Sequence, residues 1–310
     1  MLYDKKPTTY EEQVKLLQER GLGGDPATIQ SRLESVNYYR LSGYWYPFRK
    51  PDPLDSRKKL DTFHDGASID KVWYRYVFDR RLKLLLIDAI ERFEIDVRTR
   101  LAYHHAHAHG PFAYAQDRTT LPGLGRNGHK DYYIDFLKLI RDQFTSSDEE
   151  FVEHFKTKYG DKHTDMPIWC ACELMSFGNT FSFYRGCSVQ IQKLIAARYG
   201  VEDVVMESWL RTFNVVRNVC AHHGRIWNRT LGVRPMIPHA RKHKQWHDPV
   251  VIQSGKTFAL LSVARYCLKI IAPQSGWRTR LQQLLDTYPN VPLTGMGFPK
   301  NWQESPIWQP

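Results

Sequence analysis

Residues 209–229 read WLRTFNVVRNVCAHHGRIWNR, and this stretch decides both the fold class and the place of the chemistry. Trp209, Phe213, Val216 and Cys220 are spaced by four, three and four residues. That rhythm is the period of an α-helix with one apolar face. Asn214, Arg217, Asn218 and His222 repeat the spacing on a neighbouring stripe. Residues three and four apart touch along a helix surface. A permanent cation, a carboxamide and a titratable imidazole therefore share one polar strip beside the core. Such a trio suits binding a phosphodiester, holding a 2′-hydroxyl and moving a proton. No Asp or Glu lies in the strip, which argues against a divalent-metal site. An arginine and a histidine five residues apart are a weak signal alone, and the plain alternative is a solvated helix end capped by Gly224. The neighbourhood strengthens the functional reading. His223, Arg225, Asn228 and Arg229 add phosphate donors, and Trp227 adds a ring for stacking.

Working outward, the whole chain reads as helical. Thr9 with Glu12 forms a capping box, Gly21 ends that helix, and Asp25-Pro26 opens the next. The aromatic block NYYRLSGYWYPF at 37–48 carries Gly43 and Pro47 and reads as irregular backbone packed by rings, mostly core. Residues 51–67 read as an exposed loop. A long helix is expected from near Asp70 to about His105, before Gly110-Pro111, with Val72, Trp73, Tyr76, Val77, Leu84, Ile87, Ile90, Ile95 and Val97 buried. Residues 118–130 read as a Gly-rich basic loop. A further helix covers roughly 131–144, and Ser147 with Glu150 opens another whose face carries Phe151, Phe155 and Tyr159. Helices follow near 167–177, 188–199, 203–222, 256–272 and 278–287. Residues 231–250 form a basic insertion with Pro and His, and residues 288–310 form a tail wrapped on the surface. Alternating strand patterns are missing, so the expected class is all-α.

The chain has 310 residues with 42% apolar side chains, enough for a substantial core, and a net charge of +11. A basic excess of that size favours a polyanionic partner, most simply nucleic acid. The five cysteines, Cys170, Cys172, Cys187, Cys220 and Cys267, read as reduced thiols rather than a disulfide framework. Cys170 and Cys172 are too close in sequence for a zinc knuckle. No signal peptide or membrane-length apolar run is visible, so a cytoplasmic protein without membrane contact is expected.

Two other clusters deserve weighing. His104, His105, His107 and His109 invite a metal reading, but no third ligand pattern accompanies them, and an exposed helix end with cationic groups is the better account. Arg100 and His105 form a second arginine–histidine string, a candidate second half-site. Glu94 and Arg98 are four apart in the favourable order for a helical ion pair. They form either a surface pair or a buried pair that orients Arg217 or a substrate phosphate.

Taken together, these residues resemble a family. NYYRLSGYWYPF at 37–48, ERFEIDVRTRLAY at 91–103, HGPFAY at 109–114, FVEHF at 151–155, MPIWCACELMSFG at 166–178, RNVCAHHGRIWNR at 217–229 and GFPKNWQESPIW at 297–308 run in order through about residues 10–308. The chain resembles the Abi-like proteins of bacterial abortive infection (the AbiD/AbiF group), a branch of the HEPN superfamily. The resemblance implies one HEPN-type helical bundle over residues 1–310, elaborated with additional helices and loops. It implies a metal-independent endoribonuclease without cofactor, whose arginine, polar residue and histidine fall on Arg217, Asn218 and His222. His223, Arg225, Asn228, Arg229, Asn214, Glu94 and Arg98 are the expected RNA-binding or supporting residues. A homodimer is implied, because two such units usually face each other across a composite site. The expected role is an anti-phage abortive-infection or toxin–antitoxin toxin that cuts cellular or phage RNA, with a small antitoxin RNA as a further partner. The alternative is a non-catalytic protein that sequesters a structured RNA.

Overall fold

The computed structural model describes residues 6–55 and 57–309. Thirteen α-helices, five short 3-10 helices and two two-stranded antiparallel ladders make up the regular structure of the described residues, so the protein is all-α. The chain divides into two compact units, one of residues 1–83 with 281–292, the other of residues 84–280 with 293–310.

The first unit begins with α1 (Tyr10–Glu19) and α2 (Pro26–Val36). The capping box forms as expected: Glu12 N–H donates to Thr9 Oγ1 at 3.2 Å and Thr9 N–H donates to Glu12 Oε2 at 2.8 Å. Gly21, at a φ of 91°, ends α1, and Pro26 opens α2 under an Asp25 cap. The aromatic block is not irregular. It forms α3 (Tyr38–Trp45) and a 3-10 turn over Tyr46–Phe48. Asn37 makes this helix possible by taking a φ of 70° and accepting the Tyr39 N–H, so the chain turns without a glycine. Leu41, Tyr44 and Trp45 then fall on one buried face, and Gly43 lies within the helix. The expected loop at 51–67 contains part of an irregular hairpin, β1 (Arg49–Pro51) with β2 (Lys59–Phe63), which buries Phe63.

The long helix α4 spans Ile69–His109, 41 residues, and contributes up to Lys83 to the first unit and the remainder to the second. Its buried row is Val72, Phe78, Leu82, Leu86, Ile90, Phe93, Val97 and Leu101. Leu84 and Ile95, expected inside, are 64% and 51% exposed. Asp79 is fully buried and accepts the Tyr44 hydroxyl at 2.6 Å, with Lys83 Nζ 3.6 Å away, so its carboxylate is both bonded and paired.

In the second unit, α5 (Ala113–Gln116) precedes a small ladder, β3 (Arg126–Asn127) with β4 (Lys130–Asp131), within the basic loop. Arg118 and Arg126 both hold Asp131, at 2.6 and 2.8 Å. Then come α6 (Tyr132–Ser146) and α7 (Glu150–Tyr159). The expected Ser147–Glu150 box does not form. Glu149 is the N-cap of α7, and Ser147 Oγ accepts the Glu149 N–H instead. On α7, Val152 and Phe155 are the buried residues, while Phe151 and Tyr159 stay exposed. The helix expected at 167–177 is α8 (Ile168–Leu174), and a further helix that was not expected, α9 (Phe177–Gly186), follows it because Ser176 caps α9 by accepting the Asn179 N–H. α10 (Val189–Arg198), α11 (Asp203–Ala221), α12 (Thr257–Ile271) and α13 (Trp277–Thr287) complete the set, the end of α13 from Leu281 belonging to the first unit.

α12 is apolar on nearly every side and is correspondingly buried from Thr257 to Leu268, apart from half-buried Tyr266. The tail carries rings into this core: Trp308 is 1% exposed, stacks at 5.8 Å on Phe258 and donates Nε1–H to Ser262 Oγ at 3.0 Å. Four of the five cysteines are buried and all are free. Among the described residues, no helix is long and apolar enough to cross a membrane.

Candidate active site

α11 carries the strip. Trp209, Phe213, Val216 and Cys220 are all at most 3% exposed, so the apolar face is buried as its spacing predicts. The Phe213 ring meets Phe93 of α4 edge-on at 5.0 Å, and Trp209 Nε1–H donates to the Met236 carbonyl at 2.8 Å. The second bond ties the 231–250 insertion to the helix. Trp246 from that insertion is fully buried 5.6 Å from the Trp209 ring, so this segment is fixed rather than loose.

On the other face Arg217, Asn218, His222 and His223 are exposed and Asn214 is half-buried. Arg217 Nη1 approaches Asn218 Oδ1 at 3.4 Å, so cation and carboxamide sit side by side. Asn214 turns toward Gly178 at the start of α9, where an added Cβ would lie 3.8 Å from Asn214 Oδ1.

The helix end is built by backbone geometry. His222 is the C-cap and its N–H donates to the Asn218 carbonyl at 2.9 Å. His223 N–H donates to Cys220 O and Gly224 N–H to Val219 O, the paired bonds of a Schellman motif. The left-handed residue is His223, at a φ of 59°, and not Gly224 as expected. Gly224 serves a different need: a Cβ there would lie 2.9 Å from Val219 Cγ1. A non-glycine residue in the left-handed region is uncommon and mildly strained, and such residues cluster where the chain is shaped for function.

The following loop is pinned by Thr257 of α12, whose hydroxyl donates to Ile226 O at 3.2 Å. Arg225 is half-buried and donates from Nη1 to Trp227 O at 3.0 Å, and exposed Arg229 donates to Arg225 O at 3.3 Å. Asn228, at a φ of 51°, packs against Gly295, where a Cβ would meet its Oδ1 at 2.6 Å. Trp227 is 1% exposed. The expectation that its ring stacks a base is therefore corrected: the loop turns Trp227 into the core.

Glu94 and Arg98 form a largely enclosed pair, each side chain 13% exposed, with Arg98 Nη2 2.5 Å from Glu94 Oε1 and 2.8 Å from the Met175 carbonyl. Burial holds the Glu94 pKa above its ordinary value, although the charges of Arg98 and then Arg217 lower it. Arg217 thus lies within electrostatic reach of the pair. The structure sets Arg217 beside Asn218, places His222 one turn on at the helix end, leaves His223 and Arg229 exposed, and turns Asn228 toward the tail.

The second arginine–histidine string makes no half-site. His105 is fully buried between Phe183 and His109, at ring distances of 5.2 and 5.0 Å, and neither of its nitrogens has a hydrogen-bond partner. Burial, then the charge of His109, lowers its pKa to about 4. Arg100 is engaged by Asp96 at 3.0 Å. Among the described residues no three His, Cys, Asp or Glu side chains gather where a metal ion would be held.

Arg211 also belongs to the strip, and the helical period carries its signal. It precedes Asn218 by seven residues and His222 by eleven, which places it on the same exposed stripe. The stretch 208–247 also holds eight Lys or Arg and no Asp or Glu, so the strip sits in an unbroken basic tract.

Residues 31–228 match the Abi-like protein family, 198 of the 310 residues. The chain belongs to the Abi-like family, which is associated with abortive infection. No curated protein and no solved structure matches it.

Proposed function

We propose that this protein is a metal-independent endoribonuclease of the HEPN type, acting as an abortive-infection or toxin–antitoxin toxin. The observation that carries the reading is the exposed Arg217–Asn218–His222 strip at the end of α11, set in a forty-residue tract without an acidic side chain. His222, neutral, takes the proton from a ribose 2′-hydroxyl. The 2′-oxygen attacks the adjacent phosphorus and the bond from phosphorus to the 5′-oxygen breaks. Arg217 stabilises the charge on the pentacoordinate phosphorus by paired contacts, and Asn218 holds a phosphate oxygen or fixes the imidazole tautomer. The leaving 5′-oxygen takes a proton from the partner subunit's His222, so a homodimer supplies both base and acid. The products are a 2′,3′-cyclic phosphate and a 5′-hydroxyl.

Support comes from family membership, from the exposure of all three groups and from Arg217 lying beside Asn218. The test is incubation of purified protein with total RNA in EDTA, followed by analysis of the fragment ends. Cyclic phosphate and 5′-hydroxyl ends are expected. Retarded but intact RNA would favour the non-catalytic reading, in which the same basic strip sequesters a structured RNA.

A further inference from the structure

Beside the Glu94–Arg98 pair lies an open recess of about 310 Å³ between α4 and α8. It is lined by two large aromatic side chains that solvent reaches, Tyr103 at 57% and Trp169 at 53% exposure. His107 lies against Tyr103 with ring centroids 4.0 Å apart and planes 35° apart. Its Nδ1 is 2.8 Å from the Tyr103 carbonyl, which only accepts, so that nitrogen carries the proton and the ring is pinned. Ala102 and Ala106 also line the recess, and their small side chains leave it room.

One end of the recess is polar. Glu173, 61% exposed, presents a carboxylate, and Arg98 Nη1 stands 3.9 Å from it, beyond hydrogen-bond reach. Arg98 spends its Nη2 on Glu94 and the Met175 carbonyl. A donor and a bidentate acceptor thus stand side by side at the edge of an aromatic-lined slot.

We propose that this recess is a nucleobase subsite selective for guanine, flanking the strip that carries Arg217. The proposal rests on RNA being the ligand of that strip. Aromatic faces stack any base and edge contacts choose among them. Guanine alone places two donors, N1–H and the N2 amino group, next to each other with the O6 acceptor beside them. Glu173 accepts both N–H groups and Arg98 Nη1 donates to O6. Adenine, cytosine and uracil offer the carboxylate only one donor atom on that edge. Arg98 donates to the Met175 carbonyl, three residues before Gly178, the glycine that Asn214 of the strip faces, so a base held here lies on the side of α4 and α8 turned to the strip.

The test uses short 2′-fluoro oligoribonucleotides, which lack the 2′-hydroxyl nucleophile and stay intact, with binding read by fluorescence anisotropy on the full chain. Three sequences differ at one central position: guanosine, inosine or uridine. Wild type is expected to bind the guanosine oligomer about ten-fold tighter than the uridine one, with inosine, which lacks the N2 amino group, in between. Trp169→Ala is expected to weaken all three about ten-fold. Glu173→Gln is expected to abolish the difference between guanosine and inosine while retaining stacking. Both side chains are more than half exposed, and circular dichroism verifies each fold. Equal affinity of wild type for the three oligomers, wild-type affinity in Trp169→Ala, an unchanged guanosine preference in Glu173→Gln, or no binding at all would overturn the subsite. Cleavage is not read in this assay, so loss of the subsite leaves the nuclease reading intact, and a protein that binds guanosine here but cuts no RNA overturns only the latter.

Discussion

Arg98 on α4 holds Glu94, Nη2 to Oε1 at 2.5 Å, and donates from the same nitrogen to the Met175 carbonyl; burial leaves the Glu94 pKa above its ordinary value, although the charges of Arg98 and then Arg217 lower it. The polar strip is therefore not an isolated helix surface. Its arginine acts on a largely enclosed ion pair on another helix. Removing Glu94 takes one partner of Arg98 and leaves it the Met175 carbonyl, and losing a charged hydrogen bond at an enclosed site typically costs about 1–3 kcal/mol. Glu94→Ala is expected to lower stability at neutral pH by about that amount, as read by urea unfolding. Ile95→Ala, one residue on but 51% exposed, is expected to change it by about 0.5 kcal/mol or less. Equal effects of the two substitutions would show that the pair is not structurally coupled.

His223 occupies a left-handed conformation that glycine adopts freely and β-branched residues resist. His223→Gly is expected to retain or raise thermal stability, whereas His223→Val should cost about 1–2 kcal/mol. The reverse order would mean that the α11 terminus is held by something other than the observed Schellman bonds.

His105 makes stability fall in mild acid. The unfolded chain takes up a proton near pH 6.5, the ordinary value, that the folded one refuses until about pH 4. This contribution is fully present above pH 6.5 and is lost as pH falls through 6.5 to 4, by on the order of 1–3 kcal/mol. His105→Leu is expected to flatten the chemical-denaturation profile across that interval. An unchanged slope in the variant would place the acid sensitivity elsewhere.

The composite site has its own consequence. With His105 buried, the Arg100–His105 string does not supply the acid for the leaving oxygen, and a second copy of His222 would. Mixing His222→Ala subunits with wild type should then lower activity more than dilution alone. Activity that falls in proportion to the wild-type fraction, from a protein monomeric by light scattering with RNA bound, would contradict the shared site.

Much of this was legible from local periodicity. The buried row Trp209–Cys220 and the exposed trio on α11 follow directly from the 3.6-residue repeat, because a single amphipathic helix of 19 residues keeps one phase throughout. Over the 41 residues of α4 the environment changes along the helix, so apolar residues such as Leu84 and Ile95 lie on the exposed side although their type suggests burial. Trp227 was misjudged for another reason: it follows the helix end in a loop whose direction is set by left-handed His223 and Asn228 and by the Thr257 bond, none of which has a sequence period. The helix α3 was hidden because its start depends on Asn37 taking a positive φ. Likewise, only the tertiary structure brings Arg98, Tyr103 and Trp169 to one recess, since they lie on two helices.

The most direct measurement is the single-turnover rate of RNA cleavage in EDTA by wild type and by His222→Ala. His222 is exposed at the helix end, so the substitution is expected to leave the fold unchanged by circular dichroism. Wild type should cut in chelator, and the variant should be slower by on the order of 10²–10⁴. Cleavage by His222→Ala at the wild-type rate, or wild-type activity that vanishes in EDTA and returns with magnesium, would contradict the account.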